Sequence, residues 1–256
     1  MEFVSYKSEN RIGYVTLNRP DKRNALNHKV VSELKEAFTL GVEDSEVKVL
    51  VLKAEGDAFC AGADLAYLKH LQQNNFVENL EDSNHLKELF LQIYTLPKVV
   101  IASIQGHAIA GGSGLATVCD YALSVSGAKF GYTEVRIGFI PAIVMVFLIR
   151  KIGEQKAKDL LLSGRLITAE EAVEYGLINK VVETNLETEV ELFAQELINK
   201  NSAQSMAATK QMIANVQNLS LEDGLNLAAQ QNAKARATDD CKKGIAAFLN
   251  KDPVKW

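Results

Sequence analysis

The chain of 256 residues carries 28 Lys and Arg against 32 Asp and Glu, a formal net charge of −4, with 47% hydrophobic and 23% charged residues. That is the composition of a globular protein long enough to bury a large core, and without a long basic run it argues against nucleic acid as a partner. No apolar stretch approaches the ~18 residues of a membrane span, and MEFVSYKSEN has no basic end ahead of an apolar core, so a cytoplasmic protein with no membrane partner is expected. The three cysteines, Cys60, Cys119 and Cys241, have no metal-binding or disulfide spacing, and the first two sit in small or apolar surroundings that predict buried thiols.

Phe3–Lys7 and Ile12–Asn18 alternate across a polar Ser8–Arg11 break, the pattern of a hairpin. The polar loop NRPDKRNALN follows, and Asn27 is placed to cap a helix whose stripe is Val30, Val31, Leu34, Ala37 and Phe38. Val47–Lys53 reads as a strand buried on both faces, and it leads into AEGDAFCAGADLAYL, which opens a second helix near Asp64. Residues 67–84 are polar and weakly patterned, a mobile segment or a loose helix pair; Leu86, Leu89, Phe90, Ile93 and Leu96 then make a clear helical stripe before Pro97. Lys98–Ile104 and Tyr121–Val125 are the next buried strands, with a short helix between them.

Strand and helix alternate throughout this part, which predicts right-handed crossovers around a mostly parallel sheet. Thr168, with Glu171 three residues on, forms a capping box, and Gly176 is a helix stop. Ile178–Val182 reads as one more short strand, and from Leu186 to Leu249 nearly everything reads as helix, with caps at Ser202 and Ser220. The expected organisation is an α/β core over residues 1–190 and a helical C-terminal region over 191–256.

Two loops share one design, a buried strand running through a small-residue turn into a helix. They are Phe59-Cys60-Ala61-Gly62-Ala63-Asp64-Leu65 and Ala110-Gly111-Gly112-Ser113-Gly114-Leu115. Small side chains let a ligand approach the main chain, and helix N-termini present bare N–H groups with a partial positive charge. Two such amides converging on one carbonyl oxygen would stabilise it as an oxyanion. Neither loop has the spacing of a dinucleotide or P-loop motif. A lone carboxylate, Glu134, arrives later in YTEVRIGFIP. Beside an oxyanion it is a candidate proton carrier; alone, it reads as a surface group paired with Arg136 or Lys129. His107 reads as a buried, hydrogen-bonded structural histidine.

In order and spacing, NRPDKRNALN, FCAGADL, GHAIAGGSGLATVCD, FGYTEVRIGFIP and SGRLITAEEAVEYGLINKVV resemble the enoyl-CoA hydratase/isomerase (crotonase) family across nearly the whole chain. The resemblance implies a crotonase-like α/β spiral of ββα units with a helical C-terminal trimerisation region, forming a homotrimer or a dimer of trimers. It implies an acyl thioester of coenzyme A as substrate, no resident cofactor, no metal, and an oxyanion hole made by the amides of Ala63 and Gly111. Adenine and pantetheine would lie along Ala25, Ala61, Asp64 and Leu65, with Lys22 and Lys251 as basic candidates for the phosphates; Phe248 matches the family's terminal A-F pair. Hydratases of the family place two glutamates around one water. The second falls on Glu134 and the first on Gly114, which has no side chain, so Gly114 is expected either to make room in the substrate pocket or to serve helix packing. The finer pattern resembles bacterial methylglutaconyl-CoA hydratases, which implies a branched enoyl-CoA whose tail carboxylate would meet Arg136, Lys69, His70 or Lys87. The other readings are a Δ3,Δ2-enoyl-CoA isomerase using the single glutamate and a non-catalytic acyl-CoA binder.

Overall fold

In the computed structural model, which describes residues 1–256, the hairpin forms as Val4–Glu9 (β1) and Ile12–Leu17 (β2), antiparallel. Asn10 and Arg11 turn it with φ of 52° and 67°. Asn27 accepts from the Val30 N–H and caps His28–Glu43 (α1), whose apolar stripe is buried as its spacing predicts. Val49–Ala54 (β3) and Ala58–Cys60 (β4) lead to Leu65–Leu71 (α2) and Phe76–Thr95 (α3). The polar 67–84 stretch is therefore a helix pair. Asn75 and Glu78 form a capping box that starts α3 well before its apolar stripe, and only its second half buries side chains, Leu89, Phe90 and Ile93.

Val99–Ile104 (β5), His107–Ile109 (β6) and Gly111–Val118 (α4) come next, then Tyr121–Val125 (β7) and Lys129–Gly131 (β8). A 3-10 turn over Glu134–Ile137 leads to Ala142–Ile152 (α5) and Glu154–Ser163 (α6). Ile167–Thr168 (β9), Ala169–Tyr175 (α7) and Lys180–Val182 (β10) close the core, with the Thr168 capping box and the Gly176 stop both present.

The long strands make one sheet in the order β1-β2-β3-β5-β7-β10, parallel from β2 onward, and the short ones make a second in the order β4-β6-β8-β9. Three successive turns, β3-β4, β5-β6 and β7-β8, each lay one strand in the first sheet and one in the second before a helix. This is the spiral of ββα units that the family resemblance implies. The second sheet was not legible in sequence, because strands of two or three residues are too short for alternation to appear.

The first sheet is buried on both faces, which is why its strands read as continuous apolar runs. One face, with Leu17, Leu50, Leu52, Val100, Ala102 and Ile104, joins the main core. The other, with Ile12, Val49, Val51, Val99, Ile101 and Leu123, is covered by Leu186, Val190, Ala194, Leu197 and Ile198 of Leu186–Lys200 (α8). The expected boundary at 190/191 thus runs through a helix that belongs to the core. Beyond it, Ala203–Val216 (α9), Leu221–Arg236 (α10) and Asp239–Asn250 (α11) bury only Lys210, whose ammonium reaches Asp120 at 2.7 Å. Ser202 and Ser220 cap α9 and α10 as expected.

One carboxylate fastens the N-terminal strand. Glu33 Oε2 accepts from the N–H groups of Glu2, Phe3 and Val4 at 2.9, 2.7 and 3.0 Å. Burial opposes ionisation there, but the three N–H groups prevail and hold the carboxyl below its ordinary range. A depressed folded-state pKa stabilises above the unfolded value, and the contribution is lost as pH falls through the folded one. Glu33→Gln is therefore expected to cost on the order of 2 kcal/mol at neutral pH, read by urea unfolding. The gap to wild type should close on acidification; a gap independent of pH would refute this role.

Candidate active site

The loop over residues 18–27 lies against the loop over 61–64. Ala61 N–H donates to Arg23 O at 3.0 Å, Leu26 N–H to Gly62 O at 2.7 Å and Asp64 N–H to Leu26 O at 2.8 Å. Asn24 locks the base of the first loop, donating to Glu55 O and Ala58 O, both at 2.8 Å. In the bridge between Leu26 and Ala63, Gly62 O and Asp64 N face Leu26, so the Ala63 N–H faces the other way. No protein group accepts it, and Ala63 is exposed.

The second loop comes to meet this one. Gly111 is the first residue of α4, where an N–H has no acceptor within the helix, and its N–H is also unpaired. Ala110 before it adopts φ 52° and ψ −118°, a conformation rarely taken by a residue with a side chain and one that sets the direction of the Gly111 peptide. The two loops touch. A Cβ on Gly62 would stand 2.9 Å from Ala110 Cβ and 3.6 Å from Gly111 N, and one on Gly112 would stand 2.1 Å from Cys60 O. Glycine at 62 and 112 is thus what lets the two loops, one carrying the Ala63 amide and the other the Gly111 amide, pack directly against each other.

Glu134 reaches this place through the second sheet. Ile109 of β6 pairs in parallel with Gly131 of β8, so Gly111 and Glu134 leave the same end of neighbouring strands, two and three residues on. The carboxylate makes no ion pair with Arg136 or Lys129, and its Oε2 is buried without a partner. Burial pushes its pKa above the ordinary 4.5. The surface-pair reading of Glu134 is not what the structure contains. A half-buried carboxylate with an unpartnered Oε2, leaving the strand next to the one that ends at the Gly111 amide, has the chemistry to move a proton to or from a carbon next to a carbonyl whose oxygen such amides hold.

The other expected residues divide. Lys22, Ala25, Ala61, Asp64 and Leu65 share the loop cluster, with Lys22 exposed, Ala25 buried and Leu65 exposed over 83% of its surface at the start of α2. The Asp64 side chain is already engaged. It accepts from Ala66 and Tyr67 N–H as the α2 cap and pairs with Arg19 at 2.6 Å; against its burial, Arg19 and these N–H groups hold its pKa below the ordinary range. Its N–H is spent on Leu26 O and its carbonyl accepts from Leu68 N–H, so Asp64 has no free donor for a ligand. Arg19 was not singled out from sequence, since an arginine in a polar loop carries no signal until its carboxylate partner arrives.

Lys251 makes no hydrogen bond or ion pair with the loop cluster. It follows α11 on a segment tied to the β1–β2 turn, where Arg11 donates to Trp256 O at 3.0 Å, the end of the sheet away from the loops. His107 is exposed rather than buried, and its Nδ1 accepts from Lys129 N–H. Phe248 is exposed. The two thiols are buried as expected, and burial pushes both Cys60 and Cys119 up to about 12.

Gly114 opens no room. A Cβ there would stand 2.4 Å from Val144 Cγ1 and 2.9 Å from Phe90 Cε2, both side chains of the buried core. The space that a first glutamate would need is filled from α5 and α3, so Gly114 is a packing glycine and not part of an open substrate pocket. Alanine at this helical position would gain ~1 kcal/mol in propensity. Overpacking a site between a β-branched side chain and a buried ring costs about 1–3 kcal/mol, so Gly114→Ala is expected to be less stable than wild type in urea; equal or greater stability would mean that Val144 and Phe90 yield freely.

Residues 7–256 match the family model for enoyl-CoA hydratase/isomerase. The chain belongs to that family. A relative from Thermus thermophilus is 41% identical over 245 residues, 96% of this chain and 97% of its own length. The 2,3-dehydroadipyl-CoA hydratase of Escherichia coli is 32% identical over 95% of this chain and 94% of its own. The crotonyl-CoA hydratase of Syntrophomonas wolfei is 33% identical over 98% and 96%. Among solved structures, an enoyl-CoA hydratase from Shewanella pealeana superposes with a TM-score of 0.93 at 28% identity, covering 99% of this chain and 96% of its own. The chain is therefore an enzyme of the enoyl-CoA hydratase/isomerase family with that family's spiral fold. No helix is long and apolar enough to cross a membrane.

Proposed function

We propose that this chain is an acyl-CoA thioester hydratase with Glu134 as its proton carrier, Ala63 and Gly111 as its oxyanion hole, and a branched enoyl-CoA such as 3-methylglutaconyl-CoA as its substrate. The observation that carries the reading is the pair of unaccepted amides on two loops packed against each other, with one half-buried carboxylate, its Oε2 unpartnered, leaving the neighbouring strand. Hydration then runs through Glu134 alone. The carboxylate takes a proton from water as the water oxygen bonds to C3, the C2=C3 electrons move onto the thioester oxygen held by the two amides, and the proton is returned to C2. Product and substrate differ by one water.

The branched, acidic substrate is supported by the likeness of TEVRIG and the following Pro141-Ala142-Ile143-Val144 to methylglutaconyl-CoA hydratases. Of the four basic candidates, Arg136 is favoured for the tail carboxylate: it stands in the same 3-10 turn as Glu134, is exposed and has no carboxylate partner. Lys87 already donates to Asn84, and Lys69 and His70 lie on α2. Coenzyme A would run along the main chain of Ala25, Ala61, Asp64 and Leu65, with Lys22 at its phosphates and Lys251 supplied by a neighbouring copy. The assembly would be a homotrimer or a dimer of trimers. The apolar side chains that α9–α11 leave exposed, among them Ile213, Leu225, Ile245 and Phe248, fit that packing.

One observation favours a second reading. A single carboxylate, with the place of the other filled by Val144 and Phe90, suits proton transfer from C2 to C4 in a Δ3,Δ2-enoyl-CoA isomerase. Purified protein should be offered both thioesters. Loss of conjugated enoyl absorbance with 3-methylglutaconyl-CoA is the expected result. Migration of the double bond in a 3-enoyl-CoA with no hydroxyacyl product would replace the hydratase by the isomerase, and tight thioester binding with no turnover of either would leave a binder.

A further inference from the structure

No other residue holds the Glu134 carboxylate, which meets only its own backbone N–H. Its Oε2 has no partner, and the side chain hangs from a short 3-10 turn whose far end is closed by Gly138 and Phe139 N–H groups donating to Glu134 O. What fixes the carboxylate relative to the oxyanion hole must act on the backbone just ahead of it, residues 131–133, and on the helix that begins with Gly111.

Two hydrogen-bonded links join those segments, both wholly buried. In the first, Ser113 Oγ donates to Ala108 O at 2.6 Å and accepts from Gly131 N–H at 3.0 Å, so the first turn of α4 is pinned to β6 and β8 at once. Gly131 O also accepts from Ala110 N–H at 2.7 Å, and Ala110 is the residue whose unusual φ directs the Gly111 amide. In the second link, Thr117 Oγ1 donates to Ser113 O at 2.7 Å and meets Tyr132 Oη at 2.6 Å. With the threonine proton spent on Ser113 O, the tyrosine is the donor. Tyr132 is among the largest fully buried side chains and precedes Glu134 by two residues.

We infer that Ser113, Thr117 and Tyr132 are positioning residues: they brace α4 against β8 and thereby set the separation between the Gly111 amide and the Glu134 carboxylate. None of them touches the thioester; each acts through a group that does. The inference rests on Glu134 and Gly111 having the roles proposed above. Its physical basis is that a carboxylate tied only to its own N–H inherits its position from its backbone, and an error of about 1 Å in such a position costs up to ~10²-fold in rate. The low-dielectric interior makes the two links stiff, because a buried hydroxyl that leaves its partner finds no water in exchange.

Ser113→Ala would orphan the buried Gly131 N–H, so the test is placed on the second link. Tyr132→Phe is the clean variant, since Thr117 keeps Ser113 O as its acceptor and no donor is stranded. Thr117→Val removes the same contact from the other side, and Thr117→Ser restores it. The reaction read is exchange of the α-protons of butanoyl-CoA in heavy water, which needs the amides and Glu134 whether the natural reaction is hydration or isomerisation. Tyr132→Phe and Thr117→Val are each expected to slow exchange about tenfold with half-saturation for the thioester changed less than twofold. The double variant should be no slower than the slower single, and Thr117→Ser should match wild type.

A second readout works without turnover: the carbon-13 NMR titration of the Glu134 carboxyl, assigned by its loss in Glu134→Gln. Its midpoint should fall toward 4.5 in Tyr132→Phe as the carboxylate loosens toward water. Exchange rates equal to wild type in Tyr132→Phe, together with an unmoved titration, would overturn the inference. So would losses in every variant, Thr117→Ser included, that simply follow thermal stability. If wild type exchanges no α-proton, the proposed function fails, and the titration alone then decides whether the brace places the carboxylate.

Discussion

Glu134→Gln is expected to lower turnover by about 10²–10⁴-fold, the usual contribution of a positioned acid or base, while folding is retained. The amide keeps the volume and polarity of the carboxyl, and the carboxylate forms no ion pair that the substitution would break. Retention of fold should therefore be close to complete, checked by circular dichroism and thermal melting. The pH profile gives an independent check. As a base, Glu134 acts in its ionised form, and burial raises its pKa above 4.5. Activity of wild type, as kcat/KM, should rise with pH through that elevated value and then level off. Glu134→Asp keeps the charge but withdraws it by one methylene, so it should retain the acid limb at a reduced plateau. Turnover of Glu134→Gln equal to wild type would remove Glu134 from the mechanism and move the proton transfer to another group.

The parts of this site that could be read from sequence share one property: each is a local feature of the chain. The small-residue turns, the helix starts at Asp64 and Gly111, the caps at Asn27 and Thr168 and the buried strands are all determined by residues within a few positions of one another. What could not be read depended on residues far apart in sequence. Arg19 acquires its meaning from Asp64, 45 residues on, and the Tyr132 hydroxyl from Thr117 on the helix before it. The environment of Gly114 is set by Val144 and Phe90, which arrive from two other helices. The family resemblance identified Gly114 as the departure that matters, but only packing decided between its two explanations. The 190/191 boundary missed because α8 is amphipathic like the helices after it, and nothing in its own sequence says that its apolar face lies on the sheet.

Gly112→Ala is expected to be the most damaging change that adds a single methyl group to the site. That methyl would stand 2.1 Å from Cys60 O and 2.8 Å from Cys60 C. Both are backbone atoms of β4, held in the second sheet beside β6, so no side-chain rotation relieves the contact. The loops must move apart, and the loop that moves carries either the Ala63 or the Gly111 amide. Gly112 is itself in α4, where alanine would gain ~1 kcal/mol from helix propensity; overpacking at about 1–3 kcal/mol outweighs that gain. The larger effect is on chemistry. Displacing one of two oxyanion donors costs about 10²–10³-fold in kcat, and because the thioester oxygen carries more charge in the enolate than in the ground state, the loss should fall on kcat more than on KM. Steady-state kinetics beside a urea melt separates the two costs. The diagnostic pattern is a small loss of stability with a large loss of kcat, which Gly127→Ala, at a position where a Cβ meets nothing within 4 Å, should not share. A Gly112→Ala variant that folds and turns over like wild type would mean that the adjacency of these two loops, and with it the oxyanion hole, is not what drives the reaction.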